Sequence, residues 1–266
     1  MLRFAANIGP DRLFSEHPFL ARFARAGAAG FPAVEFPQPY DYAIDDLRHA
    51  IDEAAIRIVQ FNLPNGGMPV AGRGFANDPA RVEEFRAGVS LGLDTARELD
   101  VRLMICPIGL ALPDVPLAEQ WATVKENVRQ AAGAAQRAGI RLLVEPINPY
   151  DFPGYLLTRM EQAAALVSTV GAGTLGIVCD LYHTQRTEGN LVELLRTYRE
   201  QVVHVEFADS PARTAPGTGE INFSFVFREL GRMGFAGWVC PEYDPRGQTE
   251  ATLGWFDELR RAGLAE

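Results

Sequence analysis

Short runs of apolar and β-branched residues alternate along this chain with longer stretches whose apolar residues recur every three or four positions. This alternation is typical of parallel strands joined by crossover helices. The pattern predicts eight strand segments, at residues 2–8, 33–36, 57–61, 102–106, 141–145, 175–180, 202–207 and 238–242. The chain is therefore expected to contain eight successive strand–helix units.

Capping residues support the helices predicted between these strands. Asp78 followed by Pro79 forms an N-cap and first-turn pair at the start of one amphipathic stretch. Gly139 is expected to end the next helix, and Asn222 to cap the helix that precedes the eighth strand. The last helix is predicted over residues 249–262.

One glycine pattern looks like a dinucleotide-binding motif but lies in the wrong place. Gly171, Gly173 and Gly176 have the G-x-G-x-x-G spacing, yet they follow a helix and open a strand. A nucleotide-binding fingerprint must follow a strand and open a helix. We interpret these glycines as a helix-to-strand turn, and no nucleotide cofactor is expected.

The number of units and the chain length together predict the fold class. Eight units without a linker-like segment fit a closed barrel better than an open, doubly wound sheet. The 266 residues also suit one such barrel, which needs about 250. We predict an α/β fold, a (β/α)8 TIM barrel, in which residues 1–266 form a single domain.

Composition and charge narrow the class of protein. A formal net charge of -9 opposes the cationic surface that nucleic acid binding requires, so no nucleic acid partner is expected. No apolar segment has the length of a signal peptide or a membrane span, which predicts a cytoplasmic protein with no membrane partner. The 3 cysteines show no C-x-x-C spacing, so neither a disulfide framework nor a zinc knuckle is predicted.

Four successive predicted strands end in a carboxylate: Glu145, Asp180, Glu206 and Glu242. The active site of such a barrel lies at the C-terminal ends of its strands, so these acids should converge. Clustered carboxylates repel one another and lose hydration, which raises their pKa values and destabilises the fold unless a cation compensates. The sequence therefore predicts a divalent metal site of oxygen ligands, with Mg2+ or Mn2+ preferred.

Other polar residues near the strand ends are candidates for substrate binding. His183 lies three residues after Asp180, where its ring can hydrogen-bond a substrate oxygen. Arg213 follows the seventh strand and has the guanidinium group that recognises a substrate carboxylate. Glu35 and Asn62 close the second and third strands and are predicted to line the pocket. His204, in contrast, is expected to lie one layer deeper than Glu206.

Several short segments occur together in one known family. They are Phe4-Ala5-Ala6-Asn7, Gly30-Phe31, Val34-Glu35-Phe36, Phe61-Asn62, Leu143-Val144-Glu145, Asp180 with His183, Gly189-Asn190-Leu191, His204-Val205, Gly219-Glu220-Ile221-Asn222, Glu242-Tyr243 and Pro245-Arg246-Gly247. In these the sequence resembles the hydroxypyruvate isomerase family of the xylose-isomerase-like barrels, over essentially the whole chain. The resemblance implies a metal held by Glu145, Asp180, the residue at position 206 and Glu242. It also implies that Glu145 and Glu242 transfer protons.

Two features depart from the family pattern. Similar hydroxypyruvate isomerases have Gln at position 206 and the wider superfamily often has His, whereas this chain has Glu206, which adds a negative charge. The loop at residues 64–78, which includes Arg73, is shorter than the corresponding family loop and differs in composition. Because loops that follow the strands shape the pocket, the reaction type is predicted more closely than the substrate.

These observations predict a metal-dependent isomerase of a small hydroxy-carbonyl acid or sugar, of the hydroxypyruvate to tartronate semialdehyde type, in carbohydrate metabolism. Two glutamates would exchange protons with an enediolate. A ketose 3-epimerase and a 2-oxo-tetronate isomerase on the same scaffold stay open, as does a homo-oligomer. A metal-dependent endonuclease would need several His ligands and a basic groove, which the 4 histidines and the acidic balance disfavour. A non-catalytic metal- or sugar-binding barrel would be distinguished by the absence of substrate C–H exchange.

Overall fold

The computed structural model describes residues 1–66 and 74–265, and Arg73 lies outside these ranges. Its strands are β1 Arg3–Phe4, β2 Ala6–Asn7, β3 Ala33–Glu35, β4 Arg57–Ile58, β5 Gln60–Asn62, β6 Leu103–Ile105, β7 Arg141–Val144, β8 Leu175–Asp180, β9 Val202–Phe207 and β10 Trp238–Pro241. Its α-helices are α1 Ala21–Ala28, α2 Ile44–Ala54, α3 Val82–Glu98, α4 Leu117–Arg137, α5 Met160–Val170, α6 Leu181–Thr187, α7 Leu191–Thr197, α8 Phe223–Arg232 and α9 Gly254–Arg261. None of the helices in these ranges is long and apolar enough to cross a membrane.

The parallel strands close into a barrel. Hydrogen bonds join them in the orders β1-β10-β9-β8-β7-β6-β5 and β2-β3-β4. Only Ala5 separates β1 from β2, and only Val59 separates β4 from β5. The Ala5 amide donates to the oxygen of Val239 at 3.3 Å, and the Val59 amide donates to that of Val34 at 2.8 Å. Each of these pairs is therefore one barrel strand that changes partners midway, and the eight predicted barrel strands close on themselves.

The strand ends differ from the prediction at two of the acids. β8 and β9 begin and end where the pattern predicts, but β7 ends at Val144 and β10 at Pro241. Glu145 therefore lies one residue past the ladder, where the following Pro146 has no amide to continue it. Glu242 likewise follows its strand. Both side chains still project from the C-terminal end of the barrel.

The helix predictions agree in position and differ in detail. Asn222 caps α8, and its Oδ1 accepts from the Phe225 amide at 3.1 Å. Asp78 caps a short 3-10 turn at Pro79–Arg81, and α3 begins only afterwards. The last predicted helix is divided into a 3-10 turn at Thr249–Thr252 and α9. Gly171 ends α5 with a positive φ, so the glycine pattern is a helix-to-strand turn, as interpreted.

Packing outside the barrel fixes which β9 side chains point inward. Phe207 packs outward against Phe227 of α8, with ring centroids 5.1 Å apart, and against Trp255 of α9 at 5.2 Å. Successive strand residues face opposite sides. Glu206 and, two residues earlier, His204 must therefore point into the barrel, where both are buried.

Candidate active site

The structure brings the four predicted metal ligands together at the C-terminal end of the barrel. Asp180 and Glu206 are paired residues in the register of β8 and β9. One oxygen each of Asp180, Glu206 and Glu242 lie within 4.8 Å of one another. Glu145 and Asp180 form a second group of this size with His183. Asp180 belongs to both groups and so links all four acids, here called the acid cluster.

A cavity of about 460 Å³ opens over the acid cluster. Five predicted site residues line it: Asn62, Glu145, His183, Arg213 and Glu242. The side chains of Asp180 and Glu206 are buried and do not line it. A larger cavity of about 740 Å³ lies at the opposite end, among residues that begin the strands, such as Arg3, Arg141 and Trp238. It contains none of the predicted site residues, so the chemistry is placed at the smaller cavity.

Glu35, which was predicted to bind substrate, does not line this cavity. It is wholly buried in the barrel, where its Oε1 accepts from Nδ2 of Asn7 at 3.1 Å. Its Oε2 lies 2.7 Å from Nε2 of His204, which in turn is 3.9 Å from Oε1 of Glu206. Gln60 donates to the same Glu206 oxygen at 3.3 Å. Glu35 and His204 therefore form a buried polar layer beneath Glu206. His204 was expected at this depth.

Two arginines each donate to a different oxygen of Glu242. Nη2 of Arg213 donates to Oε2 of Glu242 and lies 3.6 Å from Oδ2 of Asp180. Nε of Arg12 donates to Oε1 of Glu242 at 3.1 Å. The sequence predicted Arg213 as a substrate ligand but missed Arg12. The only sequence signal for Arg12 is its place just after the first strand.

The two predicted proton-transferring glutamates have opposite electrostatic surroundings. Burial raises the pKa of Glu242, but the charges of Arg213 and Arg12 outweigh burial and hold this pKa below its usual value. Burial, together with the charges of Glu242 and Asp180, raises the pKa of Glu145 well above its usual value. Without a bound cation, these surroundings favour the ionised form of Glu242 and the protonated form of Glu145.

Asp180 and Glu206 have the surroundings expected of ligands to a cation. Burial is the main cause that raises the pKa of Asp180 to about 7, and burial with the nearby Glu35 and Glu145 charges raises that of Glu206 well above its usual value. Oδ1 of Asp180 caps α6 by accepting from the amide of Tyr182 at 2.7 Å. Its Oδ2 is buried without a hydrogen-bond partner. A buried oxygen without a partner, beside further carboxylates, fits a hard divalent ion such as Mg2+ or Mn2+.

These pKa shifts predict how the stability of the metal-free protein depends on pH. Asp180, Glu145 and Glu206 have folded-state pKa values above the unfolded value of about 4. Their contribution to stability is therefore complete below about pH 4 and is lost as pH rises through the folded pKa, about 7 for Asp180. Glu242 has a lowered pKa, so its contribution is lost only in stronger acid.

We expect the thermal midpoint of EDTA-treated protein to fall by several degrees between about pH 5.5 and about pH 8. Saturating Mn2+ should remove most of this dependence, because a bound cation favours the ionised carboxylates. Differential scanning fluorimetry across this pH range, with and without Mn2+, measures both effects. A flat profile in EDTA would show that the acid cluster does not repel itself in the folded protein.

Comparison with known proteins agrees with the barrel fold. A sequence-family model described as xylose isomerase-like TIM barrel matches residues 23–259. The hydroxypyruvate isomerase of Escherichia coli (strain K12) is 41% identical over 260 residues, which are 98% of this chain and 100% of that protein. A 2-oxo-tetronate isomerase of Cupriavidus necator is 38% identical over 256 residues, which are 96% of this chain and 98% of that protein.

Solved structures show the same fold. A crystal structure from Brucella melitensis, described as an AP endonuclease of family 2, has a TM-score of 0.91 and 36% identity, and the match covers 97% of this chain and 99% of that one. The 3-keto-D-glucoside 4-epimerase of E. coli has a TM-score of 0.80 at 20% identity, over 97% of this chain and 100% of that one, a likeness of fold alone. The predicted TIM barrel is confirmed.

The barrel fold and the relatives matched over their full length together show that this chain is an enzyme of the isomerase class. It is built on the xylose isomerase-like TIM barrel. Within that class, the chain belongs to the hydroxypyruvate isomerase family. The family resemblance and the isomerase class predicted from the sequence are confirmed.

Proposed function

We propose that this protein is a metal-dependent isomerase of a small 2-oxo acid that has a neighbouring hydroxyl group. Hydroxypyruvate, which would give tartronate semialdehyde, and four-carbon 2-oxo acids are the leading substrates, since the similar curated proteins are named for these two reactions. The observation on which the proposal rests is that Glu145 and Glu242 line one cavity over the acid cluster, in opposite electrostatic surroundings. Paired carboxyl groups with separated pKa values are typical of an acid and base that act together.

The acid cluster is the proposed metal site, with Glu145, Asp180, Glu206 and Glu242 as ligands and no nucleotide cofactor. When bound, a divalent ion supplies Lewis-acid polarisation of a carbonyl oxygen and compensates the carboxylate charges. The identity of the ion is proposed only as far as Mg2+ or Mn2+, because the donors are oxygens.

Proton transfer is assigned to the two glutamates at the cavity wall. Glu242, ionised between two guanidinium groups, removes a proton from the carbon that bears the hydroxyl group, which leaves an enediolate. Glu145 would ligate through one oxygen and carry a proton on the other, and it donates this proton to the neighbouring carbon. The hydroxyl hydrogen moves from one substrate oxygen to the other. Both glutamates regain their starting states by exchange with solvent, so solvent hydrogen enters the product.

The cationic side chains of the cavity favour an acid substrate over a neutral sugar. Among the lining residues that the structure describes, Arg12 and Arg213 are the arginines. Guanidinium groups bind carboxylates in a planar geometry with two hydrogen bonds. We propose that the substrate carboxylate lies against them, while Asn62 and His183 contact its other oxygens. Glu35 is not proposed as a substrate ligand, because it lies beneath the cavity.

A ketose 3-epimerase is the second candidate, since it would use the same proton abstraction and return the proton to the same carbon. The arginines at the cavity are the observation against it. An endonuclease is less consistent with the site, because the net charge of -9 opposes a phosphate backbone. Among the residues that the structure describes, His183 is the one histidine grouped with acids of the acid cluster, whereas His204 lies deeper.

The test is substrate turnover in D2O followed by proton NMR, with hydroxypyruvate, four-carbon 2-oxo acids and ketohexoses as the panel. We expect conversion of a 2-oxo acid with deuterium at the newly protonated carbon, in the presence of Mg2+ or Mn2+. EDTA-treated protein, as the control, should show neither conversion nor exchange. Exchange with a ketohexose alone would favour the epimerase, and exchange with no substrate at all would overturn the enzymatic proposal.

A further inference from the structure

Asn148 contacts the His183 ring at Nδ1, on the side away from the acid cluster. Nδ1 of His183 lies 2.6 Å from Nδ2 of Asn148 and 3.4 Å from its backbone nitrogen. Both residues are buried, Asn148 completely and His183 to all but 2% of its surface. Asn148 belongs to the loop after β7, 35 residues before His183 in the chain. Neither the sequence pattern nor the proton-transfer scheme assigns it a role.

The orientation of the Asn148 carboxamide is fixed by its other contacts. Its Oδ1 accepts from the backbone amides of Tyr150 at 3.0 Å and Asp151 at 2.9 Å. Its Nδ2 donates to Oδ2 of Asp151 at 3.1 Å. A carboxamide turned the other way would direct its NH2 group at two N–H donors and its oxygen at a carboxylate. The group that faces His183 is therefore the N–H donor.

This orientation decides the tautomer of His183. A donor directed at Nδ1 requires a lone pair on Nδ1, and a neutral imidazole then has its hydrogen on Nε2. Nε2 points toward the acid cluster, 3.5 Å from Oδ2 of Asp180 and 3.8 Å from Oε1 of Glu145. A nitrogen that bears hydrogen has no lone pair for a cation. His183 lies close enough to Asp180 and Glu145 to share a metal ion with them. In this tautomer, however, its Nε2 is a hydrogen-bond donor and not a metal ligand.

We propose that Asn148 is a positioning residue that holds His183 in the Nε2–H tautomer. In this form His183 donates a hydrogen bond to a substrate oxygen in the cavity and does not ligate the metal ion. Asp151 supports the arrangement, since it accepts from Nδ2 of Asn148 and also from the hydroxyl of Tyr182 at 2.6 Å. The role toward substrate rests on the proposed function, whereas the tautomer follows from the hydrogen bonds alone.

The tautomer is measured directly by long-range 1H–15N correlation spectra of the full-length protein labelled with 15N-histidine. The four histidines are distinguished by the loss of one ring system in His183→Gln. We expect His183 to show a protonated Nε2 and an unprotonated Nδ1. Because this spectrum needs no change at position 148, a variant that fails to fold leaves the proposal testable. An Nδ1–H tautomer in the unsubstituted protein overturns it.

The substitution Asn148→Asp reverses the group that faces His183 from a donor to an acceptor. Combined with Asp151→Asn, it keeps the net charge and allows a hydrogen bond between positions 148 and 151. We expect this double variant to shift a proton onto Nδ1 and to lose about tenfold or more in kcat/KM, the effect of a hydrogen bond lost at a charged group. Asp151→Asn alone is the matched control, and it should keep the Nε2–H tautomer because backbone amides still orient Asn148.

The outcomes separate the two proposals. Loss of turnover in the double variant with an unchanged His183 tautomer overturns the assignment of Asn148. An Nε2–H tautomer in an unsubstituted protein that isomerises no substrate supports the assignment of Asn148 and overturns the proposed function instead.

Discussion

Glu145→Gln and Glu242→Gln are each expected to lower kcat by at least about 100-fold, the lower end of general acid–base contributions. Glutamine keeps the size of the side chain and one oxygen, but its amide cannot exchange a proton at neutral pH. The rate is measured on the best substrate of the panel at saturating Mn2+, so that weaker metal binding is not mistaken for lost chemistry. Glu83→Gln, a glutamate with 86% exposure on α3, is the matched control and should keep full activity.

The two variants should differ in whether they still exchange the substrate C–H with solvent. Because Glu242 removes the first proton, Glu145→Gln is expected to retain exchange of the substrate C–H with D2O while it forms no product. Glu242→Gln should show neither exchange nor product. The reverse pattern would exchange the two roles, and near-normal turnover in either variant would remove that residue from proton transfer.

The fold and the acid cluster could be predicted because both are encoded locally. Each barrel strand is a short apolar run, and an acid at the end of four such runs must lie at one end of the barrel. Asp180 and Glu206 are paired in the β-sheet register, as equivalent positions on adjacent strands should be. That residues 1–266 form a single domain, and that the protein is cytoplasmic, remain predictions.

The contacts that set the chemistry of these acids were not predictable, because they join distant parts of the chain. Arg12 reaches Glu242 across 230 residues, through the closure of the barrel between its first and last strands. Glu35 closes its strand as predicted, but its pairing with His204 draws it below the cavity. A sequence pattern gives the strand on which a residue lies, whereas these contacts depend on side-chain directions across the barrel.

The acids that Arg213 contacts were also not predictable from the sequence. The sequence suggested a cation for a substrate carboxylate, and the structure places the guanidinium of Arg213 against Glu242 and Asp180. Its charge therefore sets the ionisation of the proposed base in addition to any contact with substrate. A residue type and its loop indicate that a cation is near the site, but only the fold shows which acid it stabilises.

Glu206→Gln is expected to weaken Mn2+ binding by at least about tenfold while isomerisation remains measurable at saturating metal. Loss of even an outer partner of a metal ligand costs about 10- to 100-fold in affinity, and this change removes the charge of a proposed ligand itself. Glutamine is nearly the same size and keeps an oxygen that can accept the hydrogen bond from Gln60. The acid cluster should therefore keep its shape and lose one negative charge.

Isothermal titration of EDTA-treated protein with Mn2+ gives the affinity, and Glu83→Gln again provides the control. The same substitution should make the pH dependence of metal-free stability shallower, because it removes one of the buried acids whose pKa is raised. Weaker binding and a shallower pH profile together would identify Glu206 as an anionic ligand within the acid cluster. If the variant binds Mn2+ as tightly as the parent, Glu206 is not an anionic metal ligand. Its side chain then interacts instead with the buried layer of Glu35 and His204 beneath the site.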